Sequence, residues 1–95
     1  MIIYGYAKKY QYANDGTLEV QVRIPSIHGP YTQQAGSKLH YVRDSELPWY
    51  VSVLLPHLPN EGDVVMMESI NSSKSSEYVV IGLTGGSYLN GAVIS

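Results

Sequence analysis

Ninety-five residues, 44% hydrophobic and 15% charged, are enough for one domain with a modest core; they exclude a multidomain enzyme, a full Rossmann fold, a TIM barrel and a disordered chain. The absence of cysteine removes disulfide staples, thiolate-held zinc, iron–sulfur clusters and thiol nucleophiles, and leaves the redox compartment undetermined. Eight acidic against six basic residues give a net charge of −2, which offers no electrostatic footprint for duplex DNA or an anionic membrane.

Residues 2 to 12 predict a first strand. Tyr4, Tyr6, Tyr10 and Tyr12 fall on even positions with Lys8 between them, while Gly5, Ala7 and Lys9 alternate with them, as suits a strongly curved strand. Nine tyrosines and no phenylalanine also imply many half-exposed rings, because a tyrosine hydroxyl wants a partner or water. Asn14-Asp15-Gly16 is a turn signal, and residues 17 to 24 alternate cleanly after it. Leu18, Val20, Val22 and Ile24 share one face; Thr17, Glu19, Gln21 and Arg23 share the other, so this second strand is predicted to be half-buried.

Pro25 ends that pattern. Residues 26 to 46 contain Gly29, Pro30 and Gly36 without a sustained period, which predicts a long loop, functional or packed on a partner, with Leu39 to Val42 as a possible short strand within it. A third strand follows between Pro48 and Pro56, with Trp49, Val51, Val53 and Leu55 on one face. The longest fully apolar run lies in it, from Val53 to Pro56 at most, too short for a signal segment or a membrane span; the chain is expected to be soluble, with no membrane anchor. Residues 59 to 63 predict a turn, Val64 to Glu68 a fourth strand, residues 71 to 76 a serine-rich hairpin tip, and Glu77 to Leu83 a fifth strand with Val79, Ile81 and Leu83 on one face. Five short strands and no amphipathic helix predict an all-β fold, a small five-stranded Greek-key OB-fold barrel with one long loop and a short C-terminal extension. The barrel is assigned to residues 1–86 and a contact tail to 87–95; an SH3-like barrel is the competing architecture.

Residue chemistry gives little support for catalysis. His28, His40 and His57 are separated by 12 and 17 residues, which matches no local metal-ligand spacing. Glu61-Gly62-Asp63 reads as a charged turn rather than a carboxylate pair, no Gly-x-Ser-x-Gly elbow is present, and the glycines from Gly82 to Gly86 lack the helix and lysine of a phosphate loop. No enzyme, cofactor or metal is therefore expected. A single-stranded nucleic-acid surface is the alternative that an OB barrel raises, with the four tyrosines beside Lys8, Lys9 and Arg23, although eight acidic residues weigh against it.

Four ordered motifs carry a family resemblance: residues 20–29 (VQVRIPSIHG), 47–56 (LPWYVSVLLP), 59–65 (PNEGDVV) and 78–83 (YVVIGL). Together they resemble the N-terminal OB-fold domain of baseplate hub and spike proteins of contractile-tailed phages, which type VI secretion spike proteins share. The resemblance implies a non-enzymatic structural protein of the virion tail, made in the host cytoplasm, a homotrimer on the tail axis that contacts other baseplate, hub or spike-tip proteins. Neither a peptidoglycan-cleaving domain nor a His-x-His spike-tip motif occurs among these residues, so lysis and metal binding do not carry over. On this reading Pro25, Pro48, Trp49, Gly62 and Asp63 are structural anchors, with Trp49 in the core. Tyr31, Tyr41, Tyr88, Leu89, Val93 and Ile94 are the expected subunit contacts.

Overall fold

The computed structural model describes residues 2–32, 40–70 and 77–87. Five strands, β1 (Ile2–Tyr12), β2 (Leu18–Arg23), β3 (Trp49–Val51), β4 (Asp63–Ser69) and β5 (Tyr78–Ser87), form one antiparallel sheet in the order β3-β2-β1-β4-β5. The protein is all-β with almost no helix. The two edges of the sheet also meet: Ser52, just past β3, forms a parallel bridge with Val80 of β5, and the Val53 amide donates to the Val80 carbonyl at 3.0 Å.

The first hairpin forms as its sequence dictates. The Gly16 amide donates to the Ala13 carbonyl at 2.9 Å, and the Asp15 carboxylate accepts the Thr17 amide at 2.9 Å, closing the turn between β1 and β2. The apolar face of β2 is buried throughout: Leu18, Val20, Val22 and Ile24 join Ala7, Tyr50, Val65, Met67 and Val80 in the core. Gly5 lets β1 cross closely over β2, because a Cβ there would collide with Val22 and come within 3.0 Å of the Arg23 carbonyl.

Two expected faces are split by bulges. In β1 the pairing moves from Ala7↔Val22 to Lys9↔Gln21, so Lys8 is an extra residue. The alternation slips by one there. Tyr4 and Tyr6 stay on the outer face, opposite Met66 and Val64, whereas Tyr10 and Tyr12 pair with Val20 and Leu18 on the core-side face, so the four rings do not form one stripe. In β5, Met66 pairs with Gly82 and Met67 with Val80, which makes Ile81 the extra residue and turns Val80 and Leu83 inward instead of Val79, Ile81 and Leu83 together.

The third strand is inverted relative to expectation. Tyr50 pairs with the core residue Val20 and is 5% exposed, whereas Trp49 pairs with Gln21 on the outer face and is 37% exposed. Paired residues share a face, so the anchor of β3 is Tyr50 and not Trp49. Burial pushes the Tyr50 hydroxyl up to about 12, and the neighbouring Tyr78 adds to the shift. Pro48 directly precedes β3.

The segment after Pro25 is more structured than a plain loop. Pro25 opens a single helical turn, α1 (Pro25–His28), and residues 44 to 46 form a 3₁₀ turn. Of the short strand expected at Leu39 to Val42, residues 40 to 42 are not strand; the Val42 amide instead donates to the His28 carbonyl at 2.8 Å. The 71 to 76 tip lies outside the described residues. Gly85 and Gly86 belong to β5, which ends with Ser87 paired to Asp63.

Candidate functional site

Two surfaces hold most of the chemistry. The first is the outer face of β1 and β2, which the described parts of the following connection, residues 25–32 and 40–48, cover. Sequence alternation assigns Arg23 and Gln21 to solvent, yet Arg23 has no exposed surface and Gln21 is buried, because this connection forms a second layer over them. Arg23 donates from Nη1 to the His28 carbonyl at 2.8 Å, and from Nη2 to the Val42 carbonyl and, at 2.8 Å, to Asp44 Oδ1. Its guanidinium also stacks 4.3 Å from the Tyr41 ring centre. Gln21 donates to the carbonyls of Asp44 and Leu47, at 2.9 and 3.0 Å. One strand thus supplies two long polar side chains whose partners are all main-chain or side-chain groups of the covering segment.

Electrostatics follow from this packing. Partial burial pushes the Asp44 carboxyl up, but the Arg23 hydrogen bond and the charges of Lys8 and Arg23 outweigh it and hold the group below its ordinary range. His28 is buried, and its Nδ1 accepts the Ile24 amide at 2.8 Å. Burial, then the charges of Arg23 and His40, keep its imidazole below the ordinary 6.5.

Of the contact candidates, Tyr31 and Tyr41 come together on this face, half-buried against their own sheet. Tyr31 meets Tyr6 edge-on at 5.3 Å, its hydroxyl donates to Glu61 at 3.4 Å, and Lys8 Nζ lies 3.5 Å from its ring centre. Lys8 also reaches Asp44 Oδ2 at 3.5 Å. The cations named for a nucleic-acid surface are therefore largely spent within the fold: Arg23 is buried, the Lys8 side chain is nearly so, and Lys9 stays exposed. Tyr88, Leu89, Val93 and Ile94 lie outside the described residues.

Pro25, Gly62 and Asp63 sit at joints. Gly62 adopts a positive φ of 89° in the turn before β4, and its amide donates to the Ala7 carbonyl at 2.8 Å, beside the Lys8 bulge. The Asp63 carboxylate accepts the Asn60 amide at 2.8 Å.

The second surface is a groove of about 470 Å³ at the hairpin end of the sheet. Tyr12 and Leu18 form one bank, and Leu54, Leu55, His57 and Leu58 the other, with Thr17 and Ser52 as the polar wall; no charged side chain lines it. Sequence reasoning missed this site because its banks are some forty residues apart and meet only when β3 pairs with β2. The one sequence signal is Leu54, the first leucine of the Leu54-Leu55 pair, which puts an apolar residue on the face of Tyr50 and Ser52 and so breaks the alternation of a simple strand.

Among the described residues no group of three His, Cys, Asp or Glu side chains could hold a metal, and no helix is long and apolar enough to cross a membrane. No family model, curated protein or solved structure matches the chain.

Proposed function

We propose that this protein is a non-enzymatic structural component of a contractile phage tail baseplate, an OB-fold block at the hub or central spike that assembles as a homotrimer. The observation that carries the reading is the strand order β3-β2-β1-β4-β5 together with the parallel Ser52↔Val80 bridge, the connectivity expected of a five-stranded Greek-key barrel. The four motifs behind the family resemblance supply its joints. Arg23 fastens the long connection, Leu47 is buried ahead of β3, Gly62 ties the last turn to β1, and Tyr78 to Leu83 build the strand that meets Ser52.

Such a block suits a load-bearing role. Its two buried polar side chains on β2, Gln21 and Arg23, are committed to main-chain hydrogen bonds that hold the covering segment. Trp49, Val51 and Val53 remain exposed at β3 and just beyond, apolar surface of the kind that packs about a symmetry axis. The single-stranded nucleic-acid reading is weaker because two of its three cations are engaged inside the fold.

Sedimentation of the purified protein, alone and mixed with neighbouring tail proteins, tests the proposal. A species near three times the 10.5 kDa chain is expected; a strict monomer in both settings overturns the trimer. Titration with fluorescent single-stranded oligonucleotides at low ionic strength is expected to give no saturable binding, and tight, salt-dependent binding overturns the structural reading.

A further inference from the structure

The groove beside the first hairpin leaves apolar side chains in water that a folded chain ordinarily covers: Leu54 is 96% exposed, Tyr12 59% and Leu58 38%. We propose that this groove docks an extended segment of another protein, one that carries apolar side chains flanked by lysine or arginine. The inference goes beyond the baseplate reading and does not rest on it.

The charge around the groove selects the partner. Its lining is uncharged, but a carboxylate adjoins each bank. Asp15, exposed in the turn of the first hairpin, directly precedes Gly16 and Thr17, which line one side. On the other side His57 is shared with a smaller cavity of about 170 Å³ in which Asp63 is the charged residue. The Asn60 amide engages Asp63 Oδ2 at 2.8 Å, and among the described residues no cation pairs with this carboxylate. The described lysines and arginines lie elsewhere. Lys8 and Arg23 are paired with Asp44, Arg43 with Glu46 at 3.1 Å, and Lys9 stands opposite Gln21 on the outer face of the sheet. A cationic segment therefore meets attraction on both sides of an apolar floor, and an anionic one meets repulsion.

Shape and polar groups suit an extended chain. About 470 Å³ is room for a few side chains, and Thr17 and Ser52 give the main chain of the segment polar partners along one wall. A second copy of this protein fits less well. It brings a net charge of −2, and among the described residues only its Lys9 stands outside an ion pair.

Dye-labelled synthetic peptides titrated with the full-length protein, read by fluorescence anisotropy, test the proposal. One set reads Lys-Leu-(Ser)n-Leu-Lys, with n from one to three; the other replaces both lysines by glutamate. At least one lysine peptide is expected to bind saturably with a Kd below ~1 mM. Its glutamate counterpart should bind at least ~10-fold more weakly. Leu54→Ser, at an exposed position outside the core, should weaken the lysine peptide about 10-fold by removing apolar contact. Asp15→Asn and Asp63→Asn, whose side-chain oxygens can still accept the Thr17 and Asn60 amides, should each weaken it about 2- to 5-fold. No saturable binding by any lysine peptide, equal affinity for the two sets, or an affinity unchanged by Leu54→Ser or by both aspartate substitutions each overturn the proposal. Self-association that Leu54→Ser abolishes also overturns it, by giving the groove to a second copy. A trimer that persists in sedimentation whatever the peptides do leaves the baseplate reading intact, so the two failures are distinguishable.

Discussion

Replacing Arg23 with methionine keeps a long apolar stem and removes the guanidinium. The Val42 carbonyl then loses its charged donor, while the His28 carbonyl keeps the Val42 amide. A buried polar group left without a partner costs ~1–3 kcal/mol, and weakening the doubly bonded His28 carbonyl adds less than that. The Asp44 carboxylate is more than half exposed and keeps Lys8, so losing its ion pair adds less than ~1 kcal/mol after solvent screening. In the other direction, Arg23 Nε is buried with no partner, and removing it returns on the order of 1 kcal/mol. The net expectation is a loss of about 1–3 kcal/mol, a sizeable part of the ~5–14 kcal/mol that a chain of this size possesses. Urea unfolding of the wild type and of Arg23→Met, followed by far-ultraviolet circular dichroism and compared at constant m, measures it. Arg23→Lys is expected to fall within ~1 kcal/mol of the methionine variant, because an ammonium cannot span three acceptors as a planar fork does. A loss below ~1 kcal/mol for Arg23→Met would refute the idea that this side chain fastens the Pro25 to Pro48 connection.

Three further expectations follow from residues described above. Tyr50→Ala should cost ~3–5 kcal/mol by opening a cavity against Val20, whereas Trp49→Ala on the outer face should cost less than half as much; the reverse order in urea melts would restore Trp49 as the anchor. His28 has a folded-state pKa below its unfolded 6.5, so its neutral form belongs to the folded state: its contribution is present above pH 6.5 and is lost as pH falls through 6.5 toward the lowered folded value. The urea midpoint should accordingly drop between pH 7.5 and 5, and His28→Asn, whose side-chain oxygen can still accept the Ile24 amide, should flatten that drop; an identical pH profile in the variant contradicts the assignment. Gly5→Ala should destabilise by ~1–3 kcal/mol because its methyl meets Val22 and the Arg23 carbonyl, an effect that a neutral thermal shift would disprove.

The sequence makes some of this architecture legible and hides the rest for identifiable reasons. β2 is transparent because Leu18, Val20, Val22 and Ile24 alternate with polar residues and only one face can be the core. β3 is opaque in phase: Trp49, Tyr50, Val51 and Val53 are all large and apolar, so nothing local says which parity points inward, and the Tyr50↔Val20 pairing decides it. The tyrosine stripe misleads because a single extra residue at Lys8 moves Tyr10 and Tyr12 to the opposite face from Tyr4 and Tyr6. Arg23 looks solvated because its burial depends on a covering segment that its own strand does not announce. The groove is the least legible feature, since Tyr12 and Leu58 share no local pattern and become neighbours through pairing across the sheet.

The central position of β1 also sets an order of events during synthesis. The first hairpin is complete once Arg23 has been made, yet the other edge of β1 has no partner until Asp63 and the residues after it emerge, about forty residues later. At ~5–20 residues per second the nascent chain carries that open edge for ~2–8 s. Ile2 to Tyr6, destined to pair with Val64 to Glu68, is the stretch left waiting. Translational pausing between Arg23 and Asp63 lengthens that interval, so aggregation of this protein during expression should respond to codon choice in that window more than in the last thirty codons.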